Sequence, residues 1–272
     1  MPELNLGRPG LSVLPLGVGD AFSAIHHPTC MLVSRYETPA WDNNLVLIDC
    51  PQSIRKMMRE ADDGRFHGLD LPRIDTLILT HLHADHASGL ETLAAFFKIA
   101  VGRKPRLVAL PEVLEGVPRF LEAIKSLGTV DDLFDVLPVT EGLGIELFPP
   151  VGGFNDGMVL RVKRTNHPIP TSALRIWDQG RQLAYSCDTA FDGNLWEWLW
   201  RGPDPKMSAP ADLVVHEVGH GIHANYDDLK RQGRTEPEWG KKLRLIHYPD
   251  DMLPMLEASP FQLMREGKLE IV

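Results

Sequence analysis

DTLILTHLHADHASGLETLAAFFKIA, residues Asp75 to Ala100, decides how the rest of the chain is read. Its centre, HLHADH (His81 to His86), packs three histidines and one aspartate into six residues. The apolar run before it, Asp75 to Thr80, predicts a buried strand, and Ala87 to Ala100 predicts a helix. A strand that ends in clustered ligands ahead of a helix sets imidazoles and a carboxylate at one rim of a sheet. Three neutral imidazoles and a carboxylate suit zinc or a similar divalent ion. A histidine-rich surface loop would need neither the strand context nor the matching ligands that recur downstream.

Apolar runs alternate with helix-like stretches outward from this centre. Leu11 to Gly17, Thr29 to Ser34 and Leu45 to Cys50 read as strands, and Pro51 to Asp63 as a helix with proline in its first turn. Arg106 to Leu110 reads as a strand, and Pro111 to Leu127 as a helix with an internal proline. Leu133 to Val139, Ile145 to Val151, Met158 to Thr165, Ser172 to Asp178 and Arg181 to Asp188 read as successive strands with Gly or Pro turns. Asp212 to Glu217 and Lys242 to Tyr248 are two further strands, each carrying a histidine near its end, and Asp251 to Glu266 reads as broken helix. Strand-rich halves, each with helices, suit two sheets packed face to face with helices outside. With no linker or low-complexity stretch, residues 1–272 read as one α/β domain.

Composition narrows the function classes. The chain is 43% hydrophobic, enough for a sizeable core. It has no run of roughly eighteen apolar residues, so no membrane span is expected. MPELNLGRPG (Met1 to Gly10) has neither a basic start nor an apolar core, so no signal peptide is expected. Three cysteines, Cys30, Cys50 and Cys187, suit reduced thiols in a cytoplasmic protein better than a disulfide framework. A net charge of −9 argues against a broad surface for long nucleic acid. It leaves room for a small phosphate substrate, because metal ions bring local positive charge of their own.

HLHADH resembles the HxHxDH signature of the metallo-β-lactamase superfamily, and the likeness extends over nearly the whole chain. It implies a four-layer αββα sandwich with one or two metals at one edge. Asp49, closing LVLIDC, matches the aspartate that orients the signature loop. The resemblance assigns His81 and His83 to one metal, and Asp85 and His86 to another. His167, ahead of SALRIW, would complete the first set. Asp188, in YSCDT, matches a Y-S-G-D-T pattern whose aspartate bridges both ions, with Cys187 replacing glycine. His247, in LRLIHY, would complete the second set. Zinc is the ion the resemblance favours, with manganese or iron as alternatives, and the family's homodimer is implied as well.

HEVGH (His216 to His220) formally matches H-E-x-x-H, which binds zinc on a helix. The strand-like ADLVV before it, and Gly219 and Gly221, argue against a helix. HEVGHGIHAN more closely resembles the H-E-A-T and H-S-T segments of the ribonuclease Z branch. Val-Gly replaces Ala-Thr, and Ala224-Asn225 replaces Ser-Thr. That likeness makes His223 a proton donor to the leaving oxygen, held by Glu217. Ribonuclease Z carries a long arm for transfer RNA between the third and fourth ligand stretches. Here only 21 positions separate His167 from Asp188, room for a hairpin.

The expected function is therefore metal-dependent hydrolysis of a small phosphodiester: a cyclic nucleotide, a cyclic ribose phosphate or a short RNA end. Asp85 would orient the attacking hydroxide, and His223 would serve as general acid. Two rival readings are a lactone or thioester hydrolase on the same site and a catalytically degenerate binding protein. Two further features stand open. Trp196, Trp198 and Trp200 read as core, as a dimer contact or as a wall for a nucleobase. His26 and His27 read as substrate contacts or as solvated loop residues.

Overall fold

The computed structural model describes residues 9–36, 44–62, 64–150, 157–203, 210–234 and 238–272. Asp63 and Val151, which close two predicted elements, and residues 1–8, read above for leader character, lie outside these. Two mixed sheets form the body, flanked by helices.

The first half begins with β1 (Pro9–Gly17), β2 (Cys30–Tyr36) and β3 (Leu45–Ile48). Helix α1 (Ile54–Ala61) leads to β4 (Ile74–Ile78), α2 (Ala84–Ala87), α3 (Leu90–Phe96) and β5 (Arg106–Ala109). Helices α4 (Pro111–Gly116) and α5 (Val130–Leu133) precede β6 (Asp135–Pro138). The second half runs through β7 (Gly144–Phe148), β8 (Met158–Arg164), β9 (Ser172–Asp178), β10 (Arg181–Tyr185), α6 (Gly193–Arg201) and β11 (Leu213–Glu217). It closes with α7 (Tyr226–Gly233), α8 (Trp239–Lys242), β12 (Leu243–Ile246), α9 (Leu253–Glu257), β13 (Gln262–Leu263) and β14 (Glu270–Ile271).

One sheet has the order β14-β1-β2-β3-β4-β5-β6 and the other β13-β12-β11-β10-β9-β8-β7. Strands β3 to β6 pair in parallel, as do β10 to β13. Strands β3, β10 and β11 are buried along their described lengths apart from the first residue of β10, so both faces of each are covered. That burial explains their continuous apolar runs, because a strand covered on both sides has no polar face to alternate with. Helix α1 buries Ile54, Met57, Met58 and Ala61, the spacing of one helical face. Among the described residues, no helix is long and apolar enough to cross a membrane.

The elements differ from the sequence reading where backbone chemistry intervenes. The helix expected from Pro111 to Leu127 breaks into α4 and two 3-10 segments, Val117–Phe120 and Glu122–Leu127. Pro118 has no N–H to continue an α-helical ladder. The helix expected from Ala87 splits at Gly89, whose N–H donates to Cys50 O at 2.8 Å. A Cβ there would lie 2.2 Å from Pro51 O, so the approach requires glycine. Within the broken helix expected from Asp251 to Glu266, residues Gln262–Leu263 instead form edge strand β13, which pairs with β12, while edge strand β14 and helix α7 have no counterpart in the sequence reading.

Asp62, the C-cap of α1, organises the turn that follows. Its carboxylate accepts from the backbone N–H groups of Gly64, Phe66, Gly68 and Leu69 at 2.7–3.1 Å. Partial burial raises its pKa, but these four donors outweigh it and hold the group below its ordinary value. A carboxylate with a depressed folded pKa stabilises above its unfolded pKa and loses that contribution as pH falls through the folded one. Asp62→Ala is expected to cost about 1–2 kcal/mol near neutral pH. In urea titrations, the difference from the parent chain should shrink below about pH 4, the ordinary carboxylate range. A difference that stays constant down to acid pH would contradict the ionic role.

Candidate metal centre

Parallel pairing gathers the ligand stretches. β3 and β4 are parallel, so Asp49 and the His81–His86 loop leave the same edge of one sheet. β10, β11 and β12 are parallel, so Asp188, Glu217 and His247 share an edge of the other. β9 runs antiparallel to β10, and the β8–β9 connection that carries His167 therefore turns at that same edge. Ser172 N donates to Thr80 O at 3.3 Å, joining the two edges.

Two groups of side chains converge there. In the first, the Nε2 atoms of His81 and His167 lie 3.2 and 3.1 Å from His83 Nδ1. Asp188 Oδ2 stands 3.6 Å from His81 Nε2 and 4.0 Å from His167 Nε2. In the second, Asp85 Oδ2 is 3.3 Å from His86 Nε2 and 3.4 Å from His247 Nε2. Asp188 Oδ1 is 3.4 Å from His86 Nε2, and Asp188 Oδ2 is 3.6 Å from His247 Nε2. Ligand atoms within each group lie within 4.8 Å of one another, and Asp188 belongs to both.

Outer partners orient the rings. Asp49 lies 2.8 Å from His86 Nδ1, which fixes that ring and leaves Nε2 as the nitrogen facing Asp85 and Asp188. Thr80 Oγ1 donates to Asp49 and stands 3.1 Å from His81 Nδ1, which sets that ring the same way. His86 Nε2 and Asp188 Oδ1 are buried without a hydrogen-bond partner. Facing ring nitrogens, an orphaned buried carboxylate oxygen and a nitrogen-oxygen donor set fit divalent ions.

Electrostatics give the same picture. Burial and its neighbouring imidazoles hold His81 well below its ordinary pKa, despite Asp188. Burial lowers His167 to about 4. His86 and His247 are also buried, but the carboxylates of Asp188, Asp49, Asp85 and Glu217 outweigh burial; His247 reaches about 9. Burial opposes ionisation of Asp85 and Asp188, yet the surrounding histidines hold both far below the carboxylate range. The centre is thus built around anions that attract positive charge.

Glu217 supports the second wall. Its Oε1 accepts from Thr189 N at 2.7 Å and Ala224 N at 3.3 Å, and its Oε2 lies 3.0 Å from His223 Nδ1. His223 sits beside the two groups, its ring 5.0 Å from that of His247 and 5.8 Å from that of His167. Burial lowers the His223 pKa, but Glu217 outweighs it and raises the group overall. HEVGH is strand and loop. His216 is buried against Trp196 at 5.7 Å between ring centres, and His220 is exposed beside Asp251 at 3.2 Å. Its two histidines therefore do not share a helical face.

A cavity of about 750 Å³ opens over the second group, with Asp85, Asp188, His223 and His247 in its lining. The tryptophans take no part in it. Trp196, Trp198 and Trp200 are buried on α6, with Trp196 against Phe191 and Trp200. That corrects the wall reading, and burial within the single chain removes the reason for assigning them to a dimer contact. His26 and His27 also stay out of the lining. The His26 ring packs edge-on against Tyr248 at 5.5 Å, and His27 Nε2 pairs with Glu60 at 2.6 Å. Cys187 is buried 3.8 Å from His81 Nδ1, and burial with Asp188 pushes its thiol up, leaving it neutral. Sequence reasoning missed Thr80, which abuts the signature, and Phe22, which lines the cavity from the loop that carries His26 and His27.

The fold is of metallo-β-lactamase type, and one edge of it carries side chains that could hold divalent ions. The family described as Anti-Pycsar protein Apyc1 matches residues 11–269, and the chain belongs to it. An Anti-Pycsar protein Apyc1 from Paenibacillus harenae is 28% identical over 243 residues, 86% of this chain and 88% of that protein. A cGMP-dependent 3′,5′-cGMP phosphodiesterase A from Dictyostelium discoideum is 28% identical over 211 residues, 74% of this chain and 22% of that protein. Among solved structures, the metallo-β-lactamase fold protein YhfI from Bacillus subtilis superposes with a TM-score of 0.68. It is 18% identical, over 97% of this chain and all of that one.

Removing the Asp49 carboxylate leaves Thr80 N, Thr80 Oγ1 and His86 Nδ1 buried without an acceptor. Asp49→Ala is expected to destabilise the chelator-treated protein by about 2–5 kcal/mol in urea unfolding. An unchanged midpoint would show that the network carries no fold stability.

Proposed function

We propose that the chain is a dinuclear-metal phosphodiesterase that hydrolyses the cyclic phosphodiester of a small nucleotide. The observation that carries this reading is the pair of ligand groups sharing Asp188. The Dictyostelium relative, named as a 3′,5′-cGMP phosphodiesterase, supports the substrate class.

In this reading His81, His83, His167 and Asp188 hold one ion, and Asp85, His86, Asp188 and His247 hold the other, with zinc the ion best matched to these donors. Bound ions supply Lewis acidity toward phosphoryl oxygens and bring the pKa of water toward neutrality. The chain does the rest. Asp85 orients the attacking water and accepts its proton. The phosphorus–oxygen bond to the ribose breaks opposite, and His223 donates a proton to the departing oxygen. Glu217 holds the His223 ring toward that oxygen and keeps it charged. The product is a linear nucleoside monophosphate.

Metal-replete protein is expected to carry about two divalent ions per chain. Asp188→Ala should lower occupancy of both and His247→Ala mainly of one, read by elemental analysis. Incubation with 3′,5′-cyclic nucleotides should yield linear monophosphates by chromatography, while a lactone and a thioester are not turned over. Turnover of either of those with no cyclic nucleotide cleaved would replace the reading with its carbonyl rival.

The His223 role has its own signature. His223→Ala should lower turnover roughly 10²–10⁴-fold for a ribose leaving group and much less for p-nitrophenolate, with metal content unchanged. As an acid, His223 works while protonated, so activity falls as pH rises through its raised pKa. Glu217→Gln removes the main cause of that rise and should move the alkaline limb to lower pH. Equal losses on both leaving groups would make His223 a positioning residue instead.

A further inference from the structure

The cavity has a polar floor and an apolar rim. Asp85, Asp188, His223 and His247 form the floor, where the proposed phosphodiester chemistry lies. Phe22 and Ile222 line the same cavity while 91% and 48% exposed. Exposed apolar side chains beside a few convergent polar groups in one cavity are the composition of a ligand pocket.

The backbone around Phe22 is held in place. Phe22 N donates to Asp20 Oδ1 at 3.0 Å. Ser23 Oγ and Ala24 N donate to the two oxygens of Asp250 at 2.5 and 2.7 Å. His26 N donates to Ser23 Oγ at 2.9 Å, and Gly19 N to His27 O at 3.0 Å. A Cβ at Gly19 would sit 2.6 Å from Ser23 Cβ, so the loop closes this tightly only with glycine. These bonds hold the backbone on both sides of Phe22, so the backbone under the ring loses little freedom when a ligand stacks there. Ile222 lines the same cavity from the turn closed by Gly219 N donating to Ala224 O at 2.9 Å, next to His223.

We infer that Phe22 is the substrate-binding residue that stacks on the nucleobase, with Ile222 completing an apolar slot. This rests on the cyclic-nucleotide reading above. Stacking uses the face of the base, and every base has one, so it secures the nucleotide with little selection among bases. Near the ring, Asp20 Oδ1 is turned back to Phe22 N. Stacking on the ring favours purines, which have the larger face, over pyrimidines.

Steady-state kinetics on the metal-loaded full chain test this. The substrates are the 3′,5′-cyclic forms of AMP, GMP, CMP and UMP and the base-free ribose 3,5-cyclic phosphate. Phe22→Ala is expected to raise KM for the nucleotides roughly 5- to 150-fold, most for the purines, with kcat little changed. The base-free substrate should be cleaved equally well by parent and variant. Phe22→Tyr should restore nucleotide KM, and Phe22→Leu should restore it only in part. Because the ring is exposed, circular dichroism and metal content should match the parent for all three variants. If the parent cleaves the nucleotides and Phe22→Ala leaves KM unchanged, or harms the base-free substrate equally, the assignment falls alone. If the parent cleaves none of the nucleotides, the functional reading falls and the assignment with it.

Discussion

The buried carboxylate of Asp49 sets the chemistry of the whole edge. It accepts from Thr80 N and Thr80 Oγ1 and lies 2.8 Å from His86 Nδ1. One anion thereby fixes the start of the signature loop, the ring of His86 and, through the threonine hydroxyl, the orientation of His81. A charge buried this deeply is tolerable only because its acceptor sites are filled. The same filling turns the inner ring nitrogens toward Asp188 and one another, an arrangement that could hold divalent ions.

Glu217 repeats the arrangement on the second sheet. It takes up the backbone after Asp188 through Thr189 N and faces His223 and His247 with its other oxygen, at 3.0 and 3.8 Å. Two carboxylates, one per sheet, thus steer histidines that come from loops distant in sequence. The backbone contributes as well. Asp49, Cys187 and His247, each just past a strand end, have φ of 62, 51 and 58°. Left-handed backbone at residues with a Cβ is costly and persists where the surroundings impose it. At Cys187 it accounts for the glycine in the pattern this stretch resembles.

Much of the site was legible along the chain. HLHADH, His167, Asp188 and His247 each follow an apolar run, and a strand end is where a sheet exposes a side chain to a shared edge. The structure brings all of them into the two ligand groups. His26 and His27 could not be read this way. Their loop does reach the cavity, but alternation within a short turn does not say which residue lines it, and it is Phe22 that does. The tryptophans were ambiguous for a related reason. A run as apolar as NLWEWLWRG must be covered, and composition does not say whether by its own core, a second chain or a ligand. Helix α6 covers it with the chain's own core.

By itself the sequence determined the strand and helix alternation and the order of the candidate metal-binding side chains, because the first follows from local periodicity and the second from the motifs along the chain. It also carried the unhelical character of HEVGH, since a strand-like approach and two glycines oppose a helix. Only the tertiary structure decided that two parallel strand sets would bring their ends to one edge. It alone broke the helix after Pro111 at Pro118 and placed β13 and β14 at the sheet margins. Those outcomes depend on contacts between residues far apart in the chain, and two-residue strands have no period to read. Packing, not local pattern, selects among the partners a buried polar group can reach.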